Sequence, residues 1–508
     1  MMRRDHLELK ELAQQLPTAR ISGDTAIEIS GLSINTRTLQ PGELFICIPG
    51  VEGLQEDRHS FIKDALKAEA AALVVEREIE AEVPVIRVED ARYALAVLSA
   101  HFFDYPSSNL KLIGVTGTNG KTTTTYLIDA ILSHAGYRTG RMGNIGTKIG
   151  STFYETDINT QDPIRLQSNL RRMKEISADF CTMEVSSQGL DLGRVLGCEF
   201  RTAVFTNLTQ DHLDYHGSME EYLAAKGLLF SRLGNSFSKD QSKRKFAVLN
   251  ADEEASSYLR KVTPAQVITY GIDNAADVRA KDIQLTSRGT RFTVESYAGQ
   301  GTVDMNLIGK FNVYNALAAI STALAEQIPL ETCAEGLSLL QNVPGRMEVV
   351  EEGQDYLVIA DYAHTPDGVE KTLSALREFA GRRILTVFGC GGDRDRAKRP
   401  IMGRIAAKYS DYVILTSDNP RKEDPDQIIQ DMEPGLYENQ AVICPYEKQP
   451  DRRQAIRRAI FMAEPGDIVL IAGKGHEPYQ ILHDRTIPFD DREEAKEVIC
   501  SRMKEESS

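Results

Sequence analysis

One stretch limits this chain more than any other. Leu110-Lys-Leu-Ile-Gly-Val115 runs into Thr116-Gly-Thr-Asn-Gly-Lys-Thr-Thr123, and then into a segment with Leu127, Ala130, Ile131 and His134 on one helical face. A short apolar strand, a glycine-rich turn ending in Lys-Thr and an amphipathic helix make the phosphate-loop arrangement. Backbone N–H groups and the helix N-terminus hold phosphate oxygens, Lys121 bridges the β and γ oxygens, and a threonine hydroxyl reaches Mg²⁺. Val115 stands where the strict G-x-x-x-x-G-K-T pattern has its first glycine. The alternative is a glycine-rich turn that happens to contain a lysine; strand and helix on either side favour nucleotide binding.

From Leu110 onward apolar strands alternate with longer amphipathic helices, the pattern of a parallel sheet with crossover helices. At 508 residues the chain is long enough for about three domains. The expected fold class is α/β in three parts: a small mixed domain over 1–108, a central phosphate-loop domain over 109–343, and a Rossmann-like domain over 344–508. The first part has an early helix (Leu7, Leu12, Leu16), apolar runs at 44–48 and 71–75, and a helical stretch over 91–103. Pro106-Ser-Ser marks its end, and Pro344-Gly345 opens the third part. The polar stretch 234–245 is expected to be an exposed loop.

Composition narrows the function classes. The net charge of -15 argues against general nucleic-acid or membrane-surface binding. Seven cysteines, an odd number without a C-x-x-C pair, favour free thiols in a reducing cytoplasm. No apolar run approaches the length of a membrane span. Arg3 and Arg4 are followed by Asp5-His-Leu-Glu-Leu-Lys-Glu-Leu, where a signal peptide needs an apolar stretch.

Further motifs follow the phosphate loop. Strand 180–184 ends in Glu184, a carboxylate well placed to hold Mg²⁺. Strand 203–207 leads into Asp211, His212, Asp214 and His216. That group is either a capped, solvated loop or a set beside the metal. The next helix, 219–233, puts Lys226 on an apolar stripe with Leu223, Phe230 and Leu233. Such a lysine either snorkels to water or needs a partner or modification. In the third part, four strands each deliver a polar loop: Asp361 to His364, Arg394 to Arg396, Asp418 to Arg421, and Gly473 to Glu477. Arginine forks mixed with acids suit a zwitterion, although turn chemistry and salt bridges are the plainer reading.

Thr116-Gly-Thr-Asn-Gly-Lys-Thr-Thr, Glu184-Val-Ser-Ser, Asn207-Leu-x-x-Asp-His-Leu-Asp, Ala225-Lys226, Gly309-Lys-Phe-Asn-Val-Tyr-Asn315 and Pro344-Gly-Arg-Met-Glu348 together resemble the Mur ligases, over essentially the whole chain. The resemblance implies an ATP- and Mg²⁺-dependent amide ligase of peptidoglycan precursor synthesis, cytoplasmic and monomeric, that works through an acyl phosphate. It implies that Lys121, Glu184, His212 and Lys226 are catalytic. ATP would be bound by Gly117, Thr118, Asn119, Gly120, Lys121, Thr122, Thr123, Asn312, Asn315, Arg346, Asp361 and His364. Metal would be held by Thr122 or Thr123, Glu184, His212 and Lys226, the last as a carbamate (N6-carboxylysine). UDP-N-acetylmuramoyl-dipeptide would meet Thr36, Thr160, Gln161, Ser186 and Arg194. By resemblance, Asp418-Asn-Pro-Arg421 matches members that add meso-diaminopimelate. Arg394, Asp418, Asn419, Pro420, Arg421, Gly473 and Glu477 would bind it, Arg421 taking the distal carboxylate and Glu477 the distal ammonium.

Departures from the family pattern collect around the acceptor: Asn35-Thr36-Arg37, Gln161, Gln188 and Leu192. They leave open a paralogue that joins the amino acid to a different carboxylate. Folylpolyglutamate synthetase, also similar, lacks a region like 1–108. A nucleotide-dependent switch has no use for the polar loops of the third part, and the Asn-Lys-x-Asp of guanine recognition is missing.

Overall fold

The computed structural model describes residues 6–156, 158–237 and 239–506. Arg3, Arg4 and Asp5, named above, lie outside the described residues, as does Ser238 of the expected loop. Three sheets organise the chain. The first has five strands in the order 20–22, 85–87, 72–75, 43–46, 31–33, with helix Ala91–Phe102 packed on it. The early helix is shorter than its leucine spacing suggests. It spans Leu9–Ala13 only, because Leu7 and Glu8 pair as a strand with Glu28–Ile29. Leu7 and Leu16 are nevertheless buried in the same core.

The central sheet has eleven strands. Its middle is β1 (Lys111–Thr116), followed by helix α1 (Lys121–His134), then β2 (Phe180–Glu184) and β3 (Phe200–Phe205), which flank β1 in parallel. Period-two alternation serves both faces: Ile113 and Val115 of β1 pack with Leu127 and Ile131 of α1, whereas Leu112 joins Leu229 and Phe230 of helix α2 (Met219–Ser231). Helix α3 (Lys310–Ala325) shares the α1 layer. His134 departs from the expected apolar face; it is exposed and meets Glu335 at 2.8 Å. The expected β–α alternation also stops early. Strands 278–286, 289–296 and 299–305 form an antiparallel extension, joined by Gly289 and Gly299 turns. Those short glycine links can only reverse the chain, since a parallel return needs a crossover of a dozen or more residues.

The third sheet contains β4 (Leu357–Asp361), followed by helix α4 (Pro366–Phe379), β5 (Ile384–Phe388), β6 (Tyr412–Leu415) and β7 (Ile468–Ala472). The last-made strand sits in the middle, in the order β4-β7-β5-β6, and all four run parallel. Their carboxyl ends therefore crowd four loops together. Beneath them Arg452 and Asp491, both 0% exposed, pair at 2.7 Å and tie the two last helices to the sheet. Removing one partner strands a buried charge, so Asp491→Ala is expected to destabilise this domain by about 3–5 kcal/mol. Calorimetry should show an earlier first transition; an unchanged melting profile contradicts the assignment. No helix among the described residues is long and apolar enough to cross a membrane.

Candidate active site between two sheets

The phosphate loop closes over the carboxyl end of β1. Gly117 takes φ 148° and Gly120 φ 85°, and a Cβ at either would strike Thr206 or Asn315. The positive φ and the close approach together explain both glycines. The loop backbone is pinned from β3: Thr118 N donates to Asn207 O and Asn119 N to Asn207 Oδ1, each at 2.9 Å. Lys121 curls back over the loop, its Nζ donating to Gly117 O (2.9 Å) and Thr118 O (2.8 Å). Desolvation lowers its pKa, and the Glu184 and Asp211 carboxylates oppose that shift.

Glu184, 2% exposed at the end of β2, accepts at Oε1 from Thr122 Oγ1 and from Asn144 N, both at 2.9 Å. Thr122 is therefore the threonine that meets the acid; Thr123 is buried in the same turn. Arg346 reaches in from the third domain, its Nη2 3.2 Å from Thr122 Oγ1 and its guanidinium 4.5 Å above the Tyr362 ring. Asn312 and Asn315 of α3 are buried and bonded to each other at 2.9 Å, and Asn315 Oδ1 accepts from Thr124 Oγ1.

Lys226 is 1% exposed. It does not snorkel: its Nζ donates to Gly117 O at 2.9 Å and lies 4.2 Å from the Tyr222 ring centroid. Burial, and then the Lys121 charge, push its pKa well below the usual lysine range. Tyr222 was not singled out in the sequence. One helical turn before Lys226, it floors the site, with its hydroxyl 3.2 Å from Thr118 Oγ1 and its ring 6.3 Å from that of His212. The i, i+4 spacing was the available signal. His212 itself has φ 54° and an exposed side chain beside Asp211.

One further group crosses between the domains. Asp367, in the first turn of α4, accepts from the Asn119 side chain and, at 3.0 Å, from Thr209 Oγ1; Lys371 pairs with it at 3.0 Å. Asp361 is committed within its own domain, accepting from Met347 N, Ala363 N and Thr372 Oγ1, and so shapes the turn that carries Arg346. His364 lies on the loop after β4, its ring nitrogen 2.7 Å from Tyr362 O.

Of the acceptor residues, Thr160, Ser186 and Arg194 form one connected cluster behind Glu184. Arg194 Nη1 donates to Thr160 O (2.8 Å), Ser186 N to Thr160 Oγ1 (2.9 Å), and Thr160 Oγ1 to Glu184 O (3.1 Å). Gln161 turns inward, donating to Thr147 Oγ1 at 2.9 Å and accepting from Asn169 at 2.8 Å. Leu192 is buried at the C-cap of the short helix Ser187–Asp191, in which Gln188 sits half-buried. Thr36 lies on the turn 35–38 of the first domain and shares no hydrogen bond with this cluster among the described residues.

The loops of the third sheet bring a second set of polar groups together. Asn419 Nδ2 donates to Glu477 Oε2 at 2.8 Å. Arg421, at φ 53°, donates to Gly392 O at 3.0 Å, and Gly391 lies against both Arg421 and Arg394. Arg394 is exposed on the rim. Gly473, at φ 123°, leaves the room that the Asp418 carboxylate fills, and Pro420 lies against Gly392. Arginines and acids thus gather at the carboxyl ends of these strands, with Arg346 and Asp367 spanning from this domain to the phosphate loop.

Comparison with known proteins identifies the family. Residues 115–323 match the Mur ligase middle domain and residues 345–475 the Mur ligase glutamate ligase domain. The chain is 47% identical, over 98% of its length and all of the relative's, to UDP-N-acetylmuramoyl-L-alanyl-D-glutamate–2,6-diaminopimelate ligase of Geobacillus thermodenitrificans. It is 48% identical to the ligase of the same name from Bacillus cereus, over 94% of this chain and 96% of that one. A solved structure of a ligase so named aligns with a TM-score of 0.68 at 34% identity, covering 98% of this chain and 99% of the other. The chain belongs to the Mur ligase family.

Proposed function

We propose that this protein is an ATP-dependent amide ligase that adds meso-diaminopimelate to UDP-N-acetylmuramoyl-L-alanyl-D-glutamate, in peptidoglycan precursor synthesis. The observation that carries this reading is the end-to-end match, at 47% identity, to ligases of that name. In it, residues 1–108 hold the UDP end, 109–343 the ATP and 344–508 the amino acid, in a cytoplasmic monomer.

The γ-phosphoryl group passes to the acceptor carboxylate, and the amine of diaminopimelate then displaces phosphate from the acyl phosphate. Little covalent work falls to the protein, whose part is positioning and charge stabilisation. Lys121 and the loop N–H groups hold the transferring phosphoryl oxygens. Arg346, Asn312 and Asn315 surround the nucleotide, with Asp361 and His364 shaping its far side. Thr160, Ser186 and Arg194 present the acceptor beside Glu184.

The residues present fit Mg²⁺. Thr122 Oγ1 and Glu184 Oε1, 2.9 Å apart, offer one hydroxyl and one carboxylate, as suits an ion that keeps waters and phosphate oxygens. Lys226 as an ammonium would repel a cation beside His212. Its burial favours the neutral amine, whose lone pair adds to CO₂ with loss of one proton, leaving a carbamate that can face metal. Bound there, Mg²⁺ would neutralise charge on the phosphoryl group.

Phosphate release with ATP, Mg²⁺ and the UDP-dipeptide should be robust with meso-diaminopimelate and weak with L-lysine. Nucleotide binding without turnover on either amine would sink the acceptor assignment and direct a screen of other carboxylates.

A further inference from the structure

Lys474 lies in the loop 473–477 read from the sequence, where it was given no role, yet its side chain is 0% exposed. The backbone is contorted to put it there: Gly473 at φ 123° and Gly475 at φ 55° flank it, both in the left-handed region that L side chains rarely adopt. Its ammonium lies 3.0 Å from Asn419 Oδ1 and 3.1 Å from Glu477 Oε2. An ammonium removed from water is costly unless paired and hydrogen-bonded, so these partners are obligatory.

The hydrogen bonds fix directions as well as distances. Asn419 Oδ1 also accepts from Ile481 N at 2.9 Å. With two donors on Oδ1 the amide cannot flip, and Nδ2 must point at Glu477 Oε2, which it meets at 2.8 Å. Glu477 Oε2 is thereby held twice, while Oε1 has no hydrogen-bond partner among the described residues and is the acceptor left to meet a ligand. The Glu477 side chain keeps 18% exposure, an opening that Lys474 itself lacks.

We propose that Lys474 is the positioning residue for amine selection: it locks Asn419 and Glu477 so that one carboxylate oxygen accepts from an ammonium at a fixed distance from Arg421. Its charge also offsets that of Glu477, so a generic cation gains little there. Selection falls to geometry, in favour of an amino acid with a second ammonium and carboxylate at its far end. The inference rests on the amino-acid site proposed above.

Steady-state kinetics of Lys474→Met, Glu477→Gln and the double variant test it. Lys474→Met should raise KM for meso-diaminopimelate about tenfold, the scale of a lost charged hydrogen bond. KM for ATP should hold, and the preference for the meso over the LL isomer should fall. A merely structural lysine would shift both KM values together or leave isomer preference intact, and either result overturns the proposal. Should Lys474→Met not fold, the double variant, which removes both charges, decides. Relative to Glu477→Gln it should raise KM by less than about threefold, because the locked partner is already gone; a larger rise overturns the proposal. An unchanged diaminopimelate KM in Glu477→Gln would instead refute the amino-acid site itself.

Discussion

Lys121→Ala is expected to lower kcat about 10³-fold, the scale seen when a preorganised charge facing a transferring group is removed. The lysine lies 2.9 and 2.8 Å from two carbonyls of its own loop, so it is already folded over the position a phosphate would take. Charge spreads over the phosphoryl oxygens as the bond to ADP breaks, and no other side chain of α1 faces that position with a full positive charge. Lys121 begins α1, and among the described residues its Nζ bonds only two carbonyls of its own loop, so the variant should stay folded. The measurement is single-turnover phosphate release beside a thermal melt. Activity within tenfold of wild type, on a folded protein, would contradict the site.

The second large effect concerns choice of amine. Arg421→Ala should cut kcat/KM for meso-diaminopimelate about 10²–10³-fold while leaving the weak L-lysine reaction nearly unchanged. The asymmetry follows from chemistry: one substrate has a distal carboxylate for the guanidinium, and the other does not. Arg421 is held at φ 53° by its N–H to Ile481 O and by Nη1 to Gly392 O, so its fork is aimed before any ligand arrives. Arg421→Lys should rescue little, since a point charge cannot reproduce a planar fork. Equal losses on both amines would mean that Arg421 braces the loop and does not read the substrate.

The features legible in sequence were those written over short spans. The phosphate loop, Glu184 at a strand end and the four strand–loop pairs of the third sheet each occupy fewer than about twenty residues, and local periodicity exposes them. Partners brought together only by folding stayed hidden. Asn144 reaches Glu184 from a hairpin turn, and Asp367 meets Asn119 across two domains. Gln161 read as a ligand residue, and its amide also bonds Thr147 and Asn169, neither of which the sequence placed beside it. Leu7 belongs to the helical stripe by spacing, yet its neighbour strand claims the backbone hydrogen bonds. Lys474 was in plain view between two glycines. Only their positive φ, which sequence does not state, turns the side chain inward.

The strand order of the third sheet has a consequence for how the protein is made. β7 pairs with β4 on one side and β5 on the other, so neither gains that neighbour until β7 has been synthesised. Roughly 80 residues separate β5 from β7, which at typical ribosomal speeds is about 4–16 s. Throughout that interval the nascent chain carries two apolar strands with an open edge each, the geometry that invites pairing with a neighbouring chain. Codon choice between β5 and β7, and the chaperones that meet the chain there, therefore bear directly on the yield of folded protein.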